Sequence, residues 1–142
     1  MYDSATGHVK LIDFGFACSA KEKLKVFCGT PSYMSPELVT KREYFGCAVD
    51  IWACGVLLYN MLIGQMPFKA TNERELYKKI QRGNFAVPAR VTLSPDVKDL
   101  IRQMLCVDQY KRISADYVLA HRWFNVPQVD SPQSQVKTQQ LR

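Results

Sequence analysis

No two of the five cysteines stand in a CxxC pair. Cys18, Cys28, Cys47, Cys54 and Cys106 are odd in number and irregular in spacing, and His8 and His121 lie far from any cysteine pair. The pattern argues against zinc and against a disulfide framework, and for reduced, buried thiols in the cytoplasm or nucleus. Met1 to Lys10 holds no apolar signal core. The longest apolar run, Ile51 to Ile63, is broken by Asn60 and preceded by Asp50. It is too short to cross a bilayer and reads as a buried helix, so no membrane partner is expected. No basic block alternates with aromatics, and there is no internal repeat. The formal charge of +6, from 19 Lys and Arg against 13 Asp and Glu, therefore favours solubility and weak anion attraction rather than nucleic-acid binding.

What is present suffices for one domain with a real core: 142 residues, 47% of them hydrophobic. Val9-Lys10-Leu11-Ile12, entered from Gly7, predicts a short strand after a tight turn. Gly15 to Tyr44 is rich in Gly, Pro, Ser and Lys and predicts mostly loop, with a short helix starting at Ser35, where Pro36 suits the first turn. Ala48 to Ile63 is apolar all round, the mark of a central helix packed on every side. Gly64 is placed to end it and Pro67 to prevent continuation. Asn72 predicts a cap for a helix over Glu73–Arg82, with Leu76, Tyr77 and Ile80 in one stripe and Gly83 as its stop. Ser94-Pro95-Asp96 combines a capping hydroxyl, a first-turn Pro and an anion at the positive dipole end. Val97, Leu100, Ile101, Met104 and Leu105 then share one face. Ser114 predicts the cap of a last helix running through Tyr117, Val118, Leu119 and His121. From Asn125 to Arg142 the chain is rich in Gln, Ser and Pro, and a disordered polar tail is expected there. The reading is a mainly α domain over 1–124 with a strand or hairpin remnant at its start.

Chemistry-bearing residues cluster in the first half. Asp13-Phe14-Gly15 follows the apolar strand, and Asp13 alone reads as a strand-end carboxylate solvating a turn. Phe27-Cys28-Gly29-Thr30-Pro31-Ser32-Tyr33 comes next, where Thr30 is a turn hydroxyl before a proline. Ser35-Pro36-Glu37 follows. Asp50-x-Trp52-x-x-Gly55 heads the apolar helix, where a carboxylate can accept backbone N–H groups. Arg112 stands much later. Glu37 and Arg112 taken singly are two independent charges, and Trp52 is core in any reading.

Order and spacing together make the set similar to the serine/threonine protein kinase family, from its magnesium-binding loop onward, over residues 1–124. The calcium/calmodulin-dependent and cyclic-nucleotide-dependent groups are the nearest in pattern. The resemblance implies a kinase-like C-terminal lobe and transfer of the ATP γ-phosphate to Ser or Thr of a protein substrate. It implies that Asp13 holds Mg2+ beside the nucleotide phosphates, with Phe14 anchoring the loop in the core and Gly15 letting the backbone flip. Thr30 would help accept a hydroxyl-bearing substrate, while Phe27, Gly29 and Pro31 would shape the floor under the residue after the phosphoacceptor. Glu37 and Arg112 would meet as a buried ion pair. Asp50 would reach toward the catalytic loop, and Trp52 would pack against the Ser35-Pro36-Glu37 corner.

Several departures qualify these implications. The Gly-rich loop, the strand Lys, the helix Glu and the HRD-type loop with its Asp base are not found in the 142 residues. The chain alone is therefore expected to bind ATP and Mg2+ weakly or not at all and to be catalytically inactive. Asp50 is expected to be a buried acceptor without its partner, and apolar surface near Leu11 and Phe14 is expected to be exposed and to promote association. Val26 stands where many family members carry a phosphorylatable Thr, leaving Ser19, Thr30 and Ser32 as candidates. Asn60 stands where basophilic kinases carry Glu, and Ser35 where Ala is commoner. Two other readings remain open. One is a non-catalytic module that binds substrates or a regulatory protein through Glu73–Arg82; the other is a bare fragment with no function of its own.

Overall fold

Five α-helices follow a nearly strand-free N-terminal segment in the computed structural model, which describes residues 1–19 and 22–124. They are α1 (Pro36–Val39), α2 (Gly46–Ile63), α3 (Glu73–Arg82), α4 (Pro95–Met104) and α5 (Ala115–Leu119), with a 3-10 turn at Pro31–Tyr33 before α1. The fold is mainly α, as the pattern predicts. The tail expected over 125–142 lies outside the described residues.

Local signals set four of the helix ends. The Asn72 side chain accepts the Glu75 N–H at 3.0 Å, and Ser94 Oγ accepts that of Val97 at 3.3 Å. Each hydrogen bond satisfies one of the first-turn donors that a helix leaves open. Gly64 and Gly83 close α2 and α3 in the left-handed region, at φ 75° and 65°, where a side chain would be strained. Ser35 and Ser114 occupy cap positions but make no side-chain capping bond. The last helix also stops at Leu119, short of His121.

The core forms where α2 meets α4, and α1 packs on α3. Trp52, Val56, Tyr59 and Ile63 recur at helical spacing along α2 and are buried against Phe68, Leu76, Ile80, Val97, Ile101 and Leu105. Val97, Leu100, Ile101, Met104 and Leu105 are all buried, so the stripe predicted for α4 is its inward face. The Trp52 ring lies parallel to Phe68 with centroids 5.7 Å apart. Gly55 permits the close approach of α2 to the end of α4. A methyl there would sit 2.9 Å from Met104 Cβ and 3.0 Å from Leu105 Cδ2.

Three expectations need correction. The strand over Val9–Ile12 shrinks to a single antiparallel bridge between Tyr2 and Val9. Lys10 N–H bonds Met1 C=O at 2.9 Å, Gly7 turns at φ 71°, and Leu11 and Ile12 are exposed beyond it. A two-stranded hairpin whose residues are all exposed among the described residues has little to hold a longer ladder. Second, α2 is not packed on every side: Cys54, Leu57 and Met61, one helical stripe, are exposed. Its uniform apolarity fixes no particular buried face; the neighbouring helices do that. Third, α2 begins at Gly46, not near Ala48, and is 18 residues long. That length and its mean hydropathy of 1.6 reach the range of a membrane span.

Candidate functional site

Asp13 sits on an exposed loop in the left-handed region, at φ 61°. Aspartate tolerates that conformation because its short carboxylate bonds locally, and here Oδ1 accepts the Gly15 N–H at 3.2 Å. The carboxylate makes no other hydrogen bond or ion pair among the described residues. Phe14 does not anchor the loop in the core; it is 69% exposed. Nothing among the described residues lies over the ring, so it has no apolar pocket to enter. Asp13 can supply one oxygen ligand to a hard cation, and among the described residues no cluster of three acidic, His or Cys side chains could hold a metal. The residues present thus fit one ligand position for Mg2+, not a self-sufficient site.

Downstream, the chain is strapped to the segment after α1. Leu24 and Tyr44 exchange backbone hydrogen bonds at 2.9 and 3.2 Å. The Tyr44 hydroxyl donates to Val26 C=O at 2.6 Å, and its ring lies 6.2 Å from that of Phe27. Burial, with the neighbouring Cys28, Cys18 and Asp50, pushes the Tyr44 pKa up, which keeps the hydroxyl a donor. Lys25 and Glu43 pair at 2.8 Å. The Lys23 ammonium lies over the rings of Phe45 and Tyr110, at 5.5 and 5.8 Å. Gly29 turns the chain at φ 126°, and Thr30 C=O accepts from Tyr33 N–H. Thr30 is exposed, and its hydroxyl makes no hydrogen bond among the described residues. Pro31 is half-buried at the start of the 3-10 turn.

Behind this surface lies a buried clamp. Glu37 on α1 and Arg112, 75 residues away, form a bidentate pair at 2.7 and 3.0 Å. Arg112 also donates to Cys106, Ala48 and Val107 carbonyls. All of the guanidinium's nitrogens are thereby engaged, which is what lets a charge with 0% side-chain exposure be tolerated. Its carbon sits 5.0 Å from the Trp52 ring centroid. Arg112 thus touches both Trp52 and Glu37 of the Ser35-Pro36-Glu37 corner. Trp52 Nε1 and Ser35 Oγ are both buried without a hydrogen-bond partner among the described residues.

Asp50 departs from expectation. It lies in the second turn of α2, because the helix starts at Gly46, and so cannot cap it. Nor is it deeply buried: the residue is exposed, although partial burial of its carboxyl raises its pKa. Sequence reasoning also missed the carbonyls that complete the Arg112 clamp, the Tyr44 strap and the Lys23 aromatic contacts. Backbone acceptors carry no side-chain signature. Tyr44 and Tyr110, however, are aromatics in otherwise polar stretches, a legible sign of a packing role.

The chain was compared with known proteins. Residues 1–124 match the protein kinase domain family. The sequence is 40% identical over 119 residues to a probable serine/threonine-protein kinase, MARK-A, of Dictyostelium discoideum, covering 82% of this chain and 11% of that protein. It is 40% identical over 133 residues to CBL-interacting protein kinase 20 of Oryza sativa subsp. japonica, covering 90% of this chain and 28% of that protein. Identity to the maternal embryonic leucine zipper kinase of Xenopus tropicalis is 43% over 120 residues, covering 82% and 18%. The chain thus spans between 11% and 28% of the length of these relatives. With a family match across all but its last 18 residues, the chain belongs to the protein kinase domain family.

Proposed function

We propose that this chain is the C-terminal lobe of a serine/threonine protein kinase, of the calcium/calmodulin-dependent or cyclic-nucleotide-dependent type, and that it is inactive by itself. In the complete enzyme the γ-phosphate of ATP passes to a Ser or Thr hydroxyl of a protein substrate. The observation that carries this reading is the buried Glu37–Arg112 clamp, which fixes the corner next to an exposed Gly29-Thr30 pair and the half-buried Pro31. A rigid floor with a free threonine hydroxyl suits docking of an extended, hydroxyl-bearing peptide. Asp13 is the residue proposed to hold Mg2+, and the bound ion would neutralise phosphate charge. The 142 residues offer no base matched to the HRD-type aspartate, which supports inactivity in isolation. All five cysteines are unpaired, which supports a cytoplasmic or nuclear location.

The test is transfer of labelled γ-phosphate from Mg-ATP to Ser/Thr peptides. The isolated 142-residue chain is expected to give no incorporation. The same residues joined to the preceding lobe of a relative are expected to give activity that Asp13→Asn abolishes. Robust incorporation by the isolated chain would overturn the reading. If the joined chain stays inactive yet retains peptide on an affinity column, the non-catalytic binding module through α3 takes its place.

A further inference from the structure

A concavity of about 370 Å3 lies between the segment after α2 and the C-terminal end of α3. It shares no residue with the Asp13 loop or the Glu37–Arg112 clamp and stands independently of the proposed catalysis. Lys69, Lys79 and Arg82 line it, and among the described residues no carboxylate does. None of the three forms an ion pair among the described residues. Glu75, whose charge reaches Lys79 and Arg82, is already engaged by Lys78 at 2.8 Å. Two of the cations are held in place: Lys69 donates to Gln65 Oε1 at 2.9 Å, and Lys79 donates to Lys69 C=O at 2.5 Å. The Arg82 side chain makes no hydrogen bond among the described residues, so its fork of donors is open. The negative end of the α3 dipole accounts for Lys79 and Arg82 in the last turn. It does not account for Lys69, which lies outside the helix yet converges on the same hollow.

The other wall is apolar and fixed. Met66, Pro67 and Phe85 line it, and Phe85 is braced edge-on by Tyr59 at 5.7 Å and by Phe68 at 6.2 Å. The volume suits one or two side chains rather than a large ligand. Three donors around one hollow match the three acceptor oxygens and roughly −2 charge of a phosphorylated side chain. The apolar wall suits the residue next to it.

The geometry points to a phosphopeptide-binding site: we propose that this hollow receives a phosphoserine or phosphothreonine of a partner protein, flanked by an apolar residue. The shared chemistry with free phosphate is the dianionic phosphoryl group, so the test separates the two sources. The isotope-labelled 142-residue chain is titrated by NMR with a phosphoserine peptide carrying a neighbouring Leu, with its unphosphorylated and glutamate counterparts, and with inorganic phosphate. Saturable shifts of the Asn84, Phe85 and Ala86 amides are expected for the phosphopeptide, at an affinity at least about tenfold above the three others. Arg82→Gln and Lys69→Gln should each weaken binding by about tenfold, the loss of one charge-assisted contact. Lys10→Gln, which removes an equal charge from the N-terminal hairpin, should change it by less than about twofold. Equal losses in all three variants would reduce the effect to non-specific charge and overturn the site. Equal binding of the glutamate peptide or of inorganic phosphate would overturn it as well.

Discussion

Arg112 donates to four acceptor groups, and each depends on its charge being in place. Replacing it by Met keeps much of the apolar contact with Trp52 but strands the Glu37 carboxylate, whose exposure is 4%. The cost of an uncompensated buried charge, about 3–5 kcal/mol, exceeds any gain from the apolar substitute. Arg112→Met is therefore expected to lower the thermal midpoint steeply, whereas Arg90→Met, at an exposed position, stays within about 0.5 kcal/mol of the parent. Equal midpoints by calorimetry would contradict this. Asp50 works in the opposite direction. Partial burial raises its folded pKa, so the folded state binds its proton more tightly than the unfolded chain does. The penalty is absent below the unfolded pKa and grows as pH rises through the folded value. Asp50→Asn should thus stabilise the domain at pH 7, with the difference fading in acid; denaturant midpoints at pH 7 and pH 3 check the sign. Neither residue's environment could be read locally. The Glu37–Arg112 contact joins positions 75 apart and follows only from family resemblance, while Asp50 does not cap α2 because the helix starts at Gly46, before it.

Helix ends were legible where a single side chain decides them. Asn72, Gly83 and the Ser94-Pro95 pair act within one turn: α3 begins and ends, and α4 begins, where these residues place them. The strand over Val9–Ile12 and the all-round burial of α2 failed for the converse reason, since both depend on partners far away in sequence. Gly55 lies between these cases. In an isolated helix, Gly→Ala gains about 0.5–1 kcal/mol. Here the added methyl would press on Met104 Cβ at 2.9 Å and Leu105 Cδ2 at 3.0 Å. Met104 Cβ is fixed to the backbone, and the Leu105 methyl, though the end of its side chain, is packed in the core at 3% exposure; overpacking of this kind costs about 1–3 kcal/mol. Overpacking wins, so Gly55→Ala is expected to destabilise the α2–α4 contact. Amide exchange should rise at Met104 and Leu105 in this variant; unchanged protection there would show that α2 can shift without loss.

At the scale of the whole molecule, apolar side chains are exposed at many positions among the described residues, and two groups of them stand close together in sequence. Leu11, Ile12, Phe14 and Phe16 follow the N-terminal hairpin, and Leu57 and Met61 run along the outer side of α2. Leu11 is 83% exposed and Met61 72%. Single exposed apolar residues are ordinary, but four within six positions make this loop the expected site of association. The five cysteines are unpaired and cannot brace this surface, and the formal charge of +6 gives only modest repulsion between copies, screened beyond about 8 Å at physiological salt. Attraction through the loop should therefore prevail as concentration rises. Sedimentation velocity over a hundredfold concentration range is expected to show self-association of the 142-residue chain. The triple change Leu11→Ser, Phe14→Ser, Phe16→Ser should shift it back toward monomer without lowering the melting midpoint, because none of these side chains belongs to the core. If the parent chain stays monomeric throughout that range, the exposed loop is not adhesive. If the triple variant associates as strongly as the parent, the outer stripe of α2 becomes the surface to change next, through Leu57 and Met61.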